Sequence, residues 1–88
     1  MIKVSNMVSS KGNTVPNQFI IDTNTGSIFQ SYSTIIAKYI NGNLILDTNA
    51  MNYSVTTSRY LYQFTLQNRK QMENGIDNGI IKVRDLNK

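Results

Sequence analysis

The chain has 88 residues, a formal net charge of +4, 40% hydrophobic residues and 16% charged residues. That length allows one domain with one small core, and the composition is that of a folded globular chain rather than a disordered one. Cysteine and histidine are both absent, which excludes disulfides, zinc–thiolate sites and the commonest general base.

The first predicted element is a β-strand over residues 2–8, IKVSNMV. Apolar and polar residues alternate roughly along it, so we expect Ile2, Val4 and either Met7 or Val8 to face the core. The next five residues, SSKGN, predict an exposed turn because Ser, Gly and Asn are typical of turns.

Two β-hairpins are predicted in the next third of the chain. The runs QFIID and SIFQSY lie within residues 17–32 and are joined by residues 23–26, TNTG, where Asn and Gly tolerate the positive φ of a tight turn. Residues 34–40, TIIAKYI, are compatible with a strand or a helical turn. The NG at 41–42 favours a second hairpin with its return strand over 43–47, because NG between apolar runs is a strong hairpin signal.

Residues 54–66 are ambiguous between a strand and a helix. Every second side chain from 60 to 66 is aromatic or leucine, as in a strand, whereas Tyr60, Leu61 and Phe64 also form one face of a helix. Capping chemistry favours the helix, because the hydroxyl of Ser54 or Thr56 can accept a hydrogen bond from the free N–H groups of the first turn. A helix turns the three apolar side chains into the core and points Gln63 and Thr65 toward water.

A second helix is predicted directly afterwards. Asn68 and Gln71 have the spacing of a capping box, in which each side chain bonds the backbone N–H of the other residue. Met72 and Ile76 fall on one face of this helix. Residues 77–79, DNG, end it through a left-handed residue.

These elements predict a single α+β domain over residues 1–88. A final strand is expected over 80–84, with Lys and Arg on one face and Ile81 and Val83 on the other. The architecture is a small, twisted, mainly antiparallel sheet of about five strands, including two hairpins, with one or two short helices from 54 to 77 on one face. Because so small a core is marginal, we also expect a homodimer that extends the sheet or buries tyrosine-rich surface.

Three segments carry a resemblance to a known family: FQSYSTIIA at 29–37, LILDTN at 44–49 and YSVTTSRYLYQF at 53–64. They resemble small uncharacterised proteins encoded mainly by bacteriophages and mobile elements of low-GC bacteria, over nearly the whole chain. One departure is Asn52, where the family pattern often has Trp. The resemblance implies a phage or mobile-element setting, and the family has no established activity to carry over.

No arrangement of residues predicts catalysis, a cofactor or a metal. Asp22 and Asp47 close two similar runs, IIDTN and LILDTN, and paired carboxylates are one reading. The favoured reading is that each carboxylate accepts backbone N–H bonds at a turn after its strand. A calcium loop beginning at Asp22 fails because its twelfth position is Ser33 rather than Glu, and no phosphate-binding glycine loop is present. We therefore expect a protein that is not an enzyme.

Binding to another macromolecule is the function that remains. The first hypothesis is docking on a host protein, for example to inhibit a defence or replication enzyme as anti-CRISPR proteins do. The alternative is a nucleic-acid-binding accessory protein with a basic and aromatic face, in which hydroxyls of residues 54–58 also hold a phosphate. The candidate partner-binding residues are Arg59, Tyr62, Gln63, Lys38, Tyr39, Arg69 and Lys70. The nucleic-acid hypothesis also uses Lys82 and Arg84.

Neither a secretory leader nor a membrane-spanning run of about 18 apolar residues is recognisable in the sequence. A cytoplasmic protein, acting in the bacterial cytosol of the host and without a membrane partner, is therefore expected.

Overall fold

Five consecutive strands, two helices and a sixth strand make up the computed structural model, which describes residues 2–88. The elements are β1 (Lys3–Val8), β2 (Thr14–Thr23), β3 (Gly26–Ser31), β4 (Thr34–Ile40), β5 (Asn43–Asp47), a 3-10 turn (Ala50–Asn52), α1 (Val55–Thr65), α2 (Arg69–Asp77) and β6 (Lys82–Arg84). The strands form one sheet in sequence order. Neighbouring strands are antiparallel except β5 and β6, which are parallel. The predicted α+β architecture is confirmed, with six strands.

Both predicted hairpins are present, but their glycines serve different purposes. Asn41 and Gly42 have φ of 51° and 83°, as a tight turn with two left-handed residues requires. Gly26 is not among the residues with positive φ. A Cβ at Gly26 would instead overlap the backbone carbonyl oxygen of Tyr39 on the neighbouring strand. Close approach of β4, rather than turn geometry, therefore requires glycine at this position.

The core lies between the sheet and the two helices. Phe29 on β3 is fully buried, and its ring stacks on Phe64 of α1 with the ring centroids 5.8 Å apart. The β3–β4 pairing shifts by one residue next to Phe29. Ile36 is the extra residue of this β-bulge, and both Ile36 and the following Ala37 are completely buried. The bulge thus brings two consecutive side chains of β4 into the core.

The structure contradicts the prediction that Ile2 and Val4 of the first strand face the core. Ile2 is 71% exposed and Val4 is 61% exposed, whereas Met7 is buried. Val4 pairs with Ile21, on the face of the sheet that points away from the helices. Strand alternation specified that one set of residues faces inward, but only the pairing with β2 decided which set.

Helix α1 confirms the helical reading of the ambiguous segment. Ser54 is its N-cap, and the Ser54 hydroxyl accepts a hydrogen bond from the Thr57 N–H at 3.2 Å. Tyr60 and Leu61 are buried as expected. The expectation that Thr65 points to water was wrong: it is 3% exposed, and its hydroxyl donates to the Leu61 carbonyl at 2.9 Å. Thr65 follows Leu61 by four residues and so shares its core-facing side.

Helix α2 begins with the predicted capping box, formed by both the Asn68 and the Gln71 side chains. Met72 is fully buried. A Cβ at Gly75 would lie 2.5 Å from the Ile81 Cδ1 atom, so glycine lets the chain after α2 pack closely against the helix. The Gly75 carbonyl accepts hydrogen bonds from the Ile80 and Ile81 N–H groups at 2.9 and 3.0 Å. This contact directs the chain into β6, parallel to β5.

Candidate docking groove

A groove of about 620 Å³ opens where the start of α1, the 3-10 turn and the start of α2 meet. It lies on the helical side of the molecule. Its lining residues are Met51, Tyr53, Val55, Ser58, Arg59, Tyr62 and Arg69. We call this surface the docking groove.

Helical spacing explains why α1 supplies most of the wall. Val55, Arg59 and Tyr62 are separated by four and three residues, so they lie on one stripe of α1. Tyr60 and Leu61 occupy the other side and are buried against the sheet. The same amphipathic helix therefore contributes to the core with one face and to the docking groove with the other.

Arg69 forms the opposite wall, at the first residue of α2. Its Nη1 atom donates to the Met51 carbonyl oxygen at 3.3 Å, which links α2 to the 3-10 turn. Its Nε atom lies 3.5 Å from the Glu73 Oε2 atom in an exposed ion pair. Both side chains are about half exposed, so this pair is worth little to stability.

The docking groove carries positive charge with no carboxylate in its lining. Glu73 neutralises part of the charge of Arg69 from outside. Arg59 is exposed and makes no hydrogen bond or ion pair with any residue from 2 to 88. Its guanidinium is thus free to form a two-pronged hydrogen-bonded pair with a carboxylate or phosphate.

Tyr53 is held at the edge of the docking groove by a buried carboxylate. Its hydroxyl donates to the Asp47 Oδ2 atom at 3.3 Å. Asp47 also accepts bonds from the N–H groups of Asn49 at 3.1 Å and Leu86 at 3.0 Å, and from the Asn87 side-chain amide at 3.1 Å. Asp47 therefore ties the end of β5 to the 3-10 turn and to the C-terminal segment.

The ionisation of both groups reflects this packing. Burial on its own would raise the pKa of Asp47, but the hydrogen bonds from Leu86, Asn49, Tyr53 and Asn87 outweigh it and lower the pKa. Burial and the neighbouring Asp47 charge raise the pKa of Tyr53. At neutral pH the site is therefore an ionised carboxylate beside a protonated phenol.

The two similar aspartates have different surroundings. Asp47 accepts backbone N–H bonds at a turn, as the sequence predicted, while Asp22 is exposed and accepts a bond from the Ser27 hydroxyl at 2.8 Å. Across residues 2–88, no group of three or more acidic, histidine or cysteine side chains could hold a metal ion.

Three of the predicted partner-binding residues, Arg59, Tyr62 and Arg69, come together in the docking groove. Lys70 is exposed on α2 beside it but is not part of the lining. Sequence reasoning did not single out Met51, Tyr53 or Val55 as site residues. The four- and three-residue spacing of the α1 stripe would have identified Val55, but only the fold brings the 3-10 turn alongside it.

The other three candidates lie elsewhere. The Tyr39 ring packs on Phe64 with centroids 5.4 Å apart, and its hydroxyl donates to the Thr65 carbonyl at 3.2 Å. Burial raises the pKa of Tyr39. The Gln63 side-chain amide donates to the Val8 carbonyl at 2.8 Å, joining α1 to β1. Lys38 pairs with Ile28 and Ile45 on the face of the sheet away from the helices.

The hydroxyl cluster at the start of α1 is partly engaged within the fold. Ser54 caps the helix, and the buried Thr57 hydroxyl lies 3.1 Å from the Ser31 hydroxyl. Ser58 is the hydroxyl residue of this cluster that lines the docking groove.

A model of a family of unknown function, DUF8033, matches residues 2–80. The chain belongs to this family. That membership agrees with the resemblance to an uncharacterised family. No curated protein and no solved structure matches the chain significantly. Neither helix in the described part of the chain has the length and apolar character needed to cross a membrane.

Proposed function

We propose that this protein is a non-enzymatic binding protein that docks on another protein through the docking groove. The observation that carries the proposal is the pairing of two guanidinium groups with two tyrosines around a groove that has no carboxylate in its lining. Arginine and tyrosine are, together with tryptophan, the side chains enriched among the residues that dominate protein–protein binding energy.

The lining also specifies the chemistry of the partner segment. Arg59 and Arg69 can bind carboxylates, and Arg59 has no hydrogen-bond or ion-pair partner among residues 2–88 to give up. Met51 and Val55 supply an apolar surface between the polar groups, and Val55 is 79% exposed. The complementary segment is therefore acidic, with an apolar or aromatic side chain next to its carboxylates.

Protein is favoured over nucleic acid because the cations are divided between two sides of the molecule. Arg59 and Arg69 line the docking groove, while Lys38 and Lys82 lie in one row of the opposite sheet face. A nucleic-acid backbone needs a continuous track of cations along one surface. The division of charge supports a short acidic segment as the ligand instead.

The resemblance to phage and mobile-element proteins supports a setting for this activity. In that setting the partner is a protein of the host bacterium, and the two proteins bind in the host cytosol. A small protein that covers an acidic functional segment of a defence or replication enzyme would inhibit that enzyme without any chemistry of its own.

A pull-down with matched variants tests the proposal. The bait is the tagged protein, the source is a nuclease-treated lysate of a low-GC bacterium, and retained proteins are quantified by mass spectrometry. The double variant Arg59→Ala/Arg69→Ala removes both cations of the docking groove. Lys70→Ala removes an adjacent cation outside it and serves as the control.

We expect one stoichiometric protein to be retained by the wild type and by Lys70→Ala, and at least about tenfold less by the double variant, which corresponds to about 1.4 kcal/mol. Equal retention by the double variant contradicts the proposal. So does recovery of nucleic acid alone from an untreated lysate, with an affinity that falls steeply as salt is added.

A further inference from the structure

Tyr53 separates the docking groove from a second cleft of about 380 Å³. Hydroxyl, amide and carboxylate side chains line this cleft, among them Asp47, Asn49, Tyr53 and Asn87. We call this surface the polar cleft. Because Tyr53 lines both cavities, its side chain is a wall with the docking groove on one side and the polar cleft on the other.

The two carboxylate oxygens of Asp47 bind different parts of the molecule. Its Oδ2 atom accepts hydrogen bonds from the Asn49 N–H at 3.1 Å and from the Tyr53 hydroxyl at 3.3 Å. Its Oδ1 atom accepts from the Leu86 N–H at 3.0 Å and from the Asn87 side-chain amide at 3.1 Å. One oxygen therefore holds the wall of the docking groove, and the other is held by the C-terminal segment.

Regular secondary structure does not fix the direction of the Tyr53 side chain. The residue follows the 3-10 turn and precedes the N-cap of α1, and its backbone is extended. The turn itself is short, and in it the Asn52 N–H donates to the Asn49 carbonyl at 2.9 Å. Asp47 binds both the Asn49 N–H at the start of this turn and the tyrosine after it. The carboxylate is therefore the anchor of the turn and of Tyr53 together.

Asn87 fixes Asp47 from the far end of the chain. The Asn87 Oδ1 atom accepts from the Ile35 N–H at 2.7 Å, and its Nδ2 atom donates to the Ile35 carbonyl at 2.9 Å. The same Nδ2 atom donates to Asp47. A continuous series of bonds thus runs from strand β4 through the amide and the carboxylate to the phenol. Loss of the amide exposes the carboxylate to solvent in the polar cleft, and water then competes for it.

We propose that Asp47 and Asn87 are positioning residues for the docking groove, which hold Tyr53 and the 3-10 turn in the orientation that receives a partner. Neither residue lines the groove. The inference rests on the proposed docking function. Ordering a side chain on binding costs free energy, and a wall that is already fixed avoids this cost. Breaking the series of bonds is therefore expected to weaken docking by about threefold to tenfold.

Amide hydrogen exchange measured by NMR tests the positioning without any partner. The key variant is Asn87→Ala. The control is Asn6→Ala, which removes the bond from the Asn6 amide to the Val15 carbonyl at 3.0 Å, on the strand at the opposite edge of the sheet from β6. Both asparagines are exposed, so we expect both variants to fold.

We expect the Asn49 and Asn52 N–H groups to exchange at least about threefold faster in Asn87→Ala than in the wild type, because local opening of the turn becomes easier. Exchange at these two positions should be unchanged in Asn6→Ala, and exchange of the buried Leu61 N–H in α1 should be unchanged in both variants. Unchanged exchange of Asn49 and Asn52 in Asn87→Ala overturns the proposal.

A double-mutant cycle in the pull-down assay tests the effect on docking. Tyr53→Phe keeps the ring in the groove and removes only the hydroxyl that binds Asp47. We expect Asn87→Ala and Tyr53→Phe each to lower retention of the partner, and the double variant to lose less than the product of the two factors, because both changes break the same series of bonds. Losses that multiply fully overturn the proposal, since Asn87 then acts independently of Tyr53.

The two measurements also separate this inference from the docking function on which it rests. A wild type that retains no protein contradicts the docking function itself. In that case faster exchange of Asn49 and Asn52 still supports the positioning of the Tyr53 wall, and unchanged exchange still overturns it.

Discussion

Replacing Asp47 by asparagine tests whether one buried carboxylate holds three parts of the molecule together. Asp47 is 4% exposed and accepts four hydrogen bonds, from Asn49, Leu86, Tyr53 and Asn87. The substitution keeps the shape of the side chain. It removes the charge and turns one acceptor atom into a donor.

The magnitude follows from those contacts. A hydrogen bond to a charged group contributes about 1.5–3 kcal/mol, and a buried donor left without a partner costs about 1–3 kcal/mol. The side-chain oxygen of the Asn variant can still accept hydrogen bonds from two of the four donors. Its amide nitrogen then faces the backbone N–H of either Asn49 or Leu86, so that a donor faces a donor. We therefore expect Asp47→Asn to lower the free energy of unfolding by about 2–3 kcal/mol at neutral pH.

The loss depends on pH in a predictable direction. Because the pKa of Asp47 is lowered from its ordinary value of 3.8, folding favours the ionised form. The stabilisation is complete above about pH 5 and is lost as the pH falls through 3.8 toward the lower pKa of the folded state. The difference in unfolding free energy between wild type and variant should therefore shrink as the pH is lowered.

Urea denaturation followed by circular dichroism, repeated from neutral pH to about pH 2.5, measures this difference. Asp22→Asn is the matched control, because Asp22 closes a similar IIDTN run but is exposed and accepts its bond from the Ser27 hydroxyl. It should change the unfolding free energy by about 0.5 kcal/mol or less. Two results would refute the reasoning: equal effects of the two variants, or an Asp47→Asn effect that does not vary with pH.

Substitutions at three further positions test other parts of the fold by the same urea assay at neutral pH. Gly26→Ala should cost about 3 kcal/mol or more, because its Cβ would overlap the Tyr39 carbonyl; a loss near zero would contradict this contact. Asn68→Ala should cost about 1 kcal/mol by removing the capping box, while Asn68→Ser should retain most of the stability. Tyr39→Phe should cost about 1 kcal/mol through loss of the bond to the Thr65 carbonyl, and an unchanged midpoint would show that this bond adds nothing.

Local chemistry predicted most of the secondary structure. The NG pair at 41–42, the capping box of Asn68 and Gln71 and the hydroxyl at Ser54 each act within four residues. Such signals are readable from sequence because the groups that interact are neighbours along the chain. They separated helix from strand at 55–65, where the apolar pattern alone fitted both.

Surroundings that depend on distant residues were not predictable in the same way. Thr65 was expected at the surface and is buried, because the position of α1 over the sheet decides which stripe of the helix faces inward. Gly26 was interpreted as a turn residue, but the approach of β4 is what requires it. Val4 was expected inside, and the register with β2 places it on the face of the sheet that points away from the helices.

The sequence by itself determined most of the strands, turns and helices, and which residue types are available for binding. Only the tertiary structure decided that Arg59, Tyr62 and Arg69 share one groove with Tyr53, while Lys38 lies on the other side of the sheet. The physical reason is the range of the interactions. Capping and turn formation involve adjacent residues, whereas a site is assembled by packing and strand pairing between segments far apart in the chain.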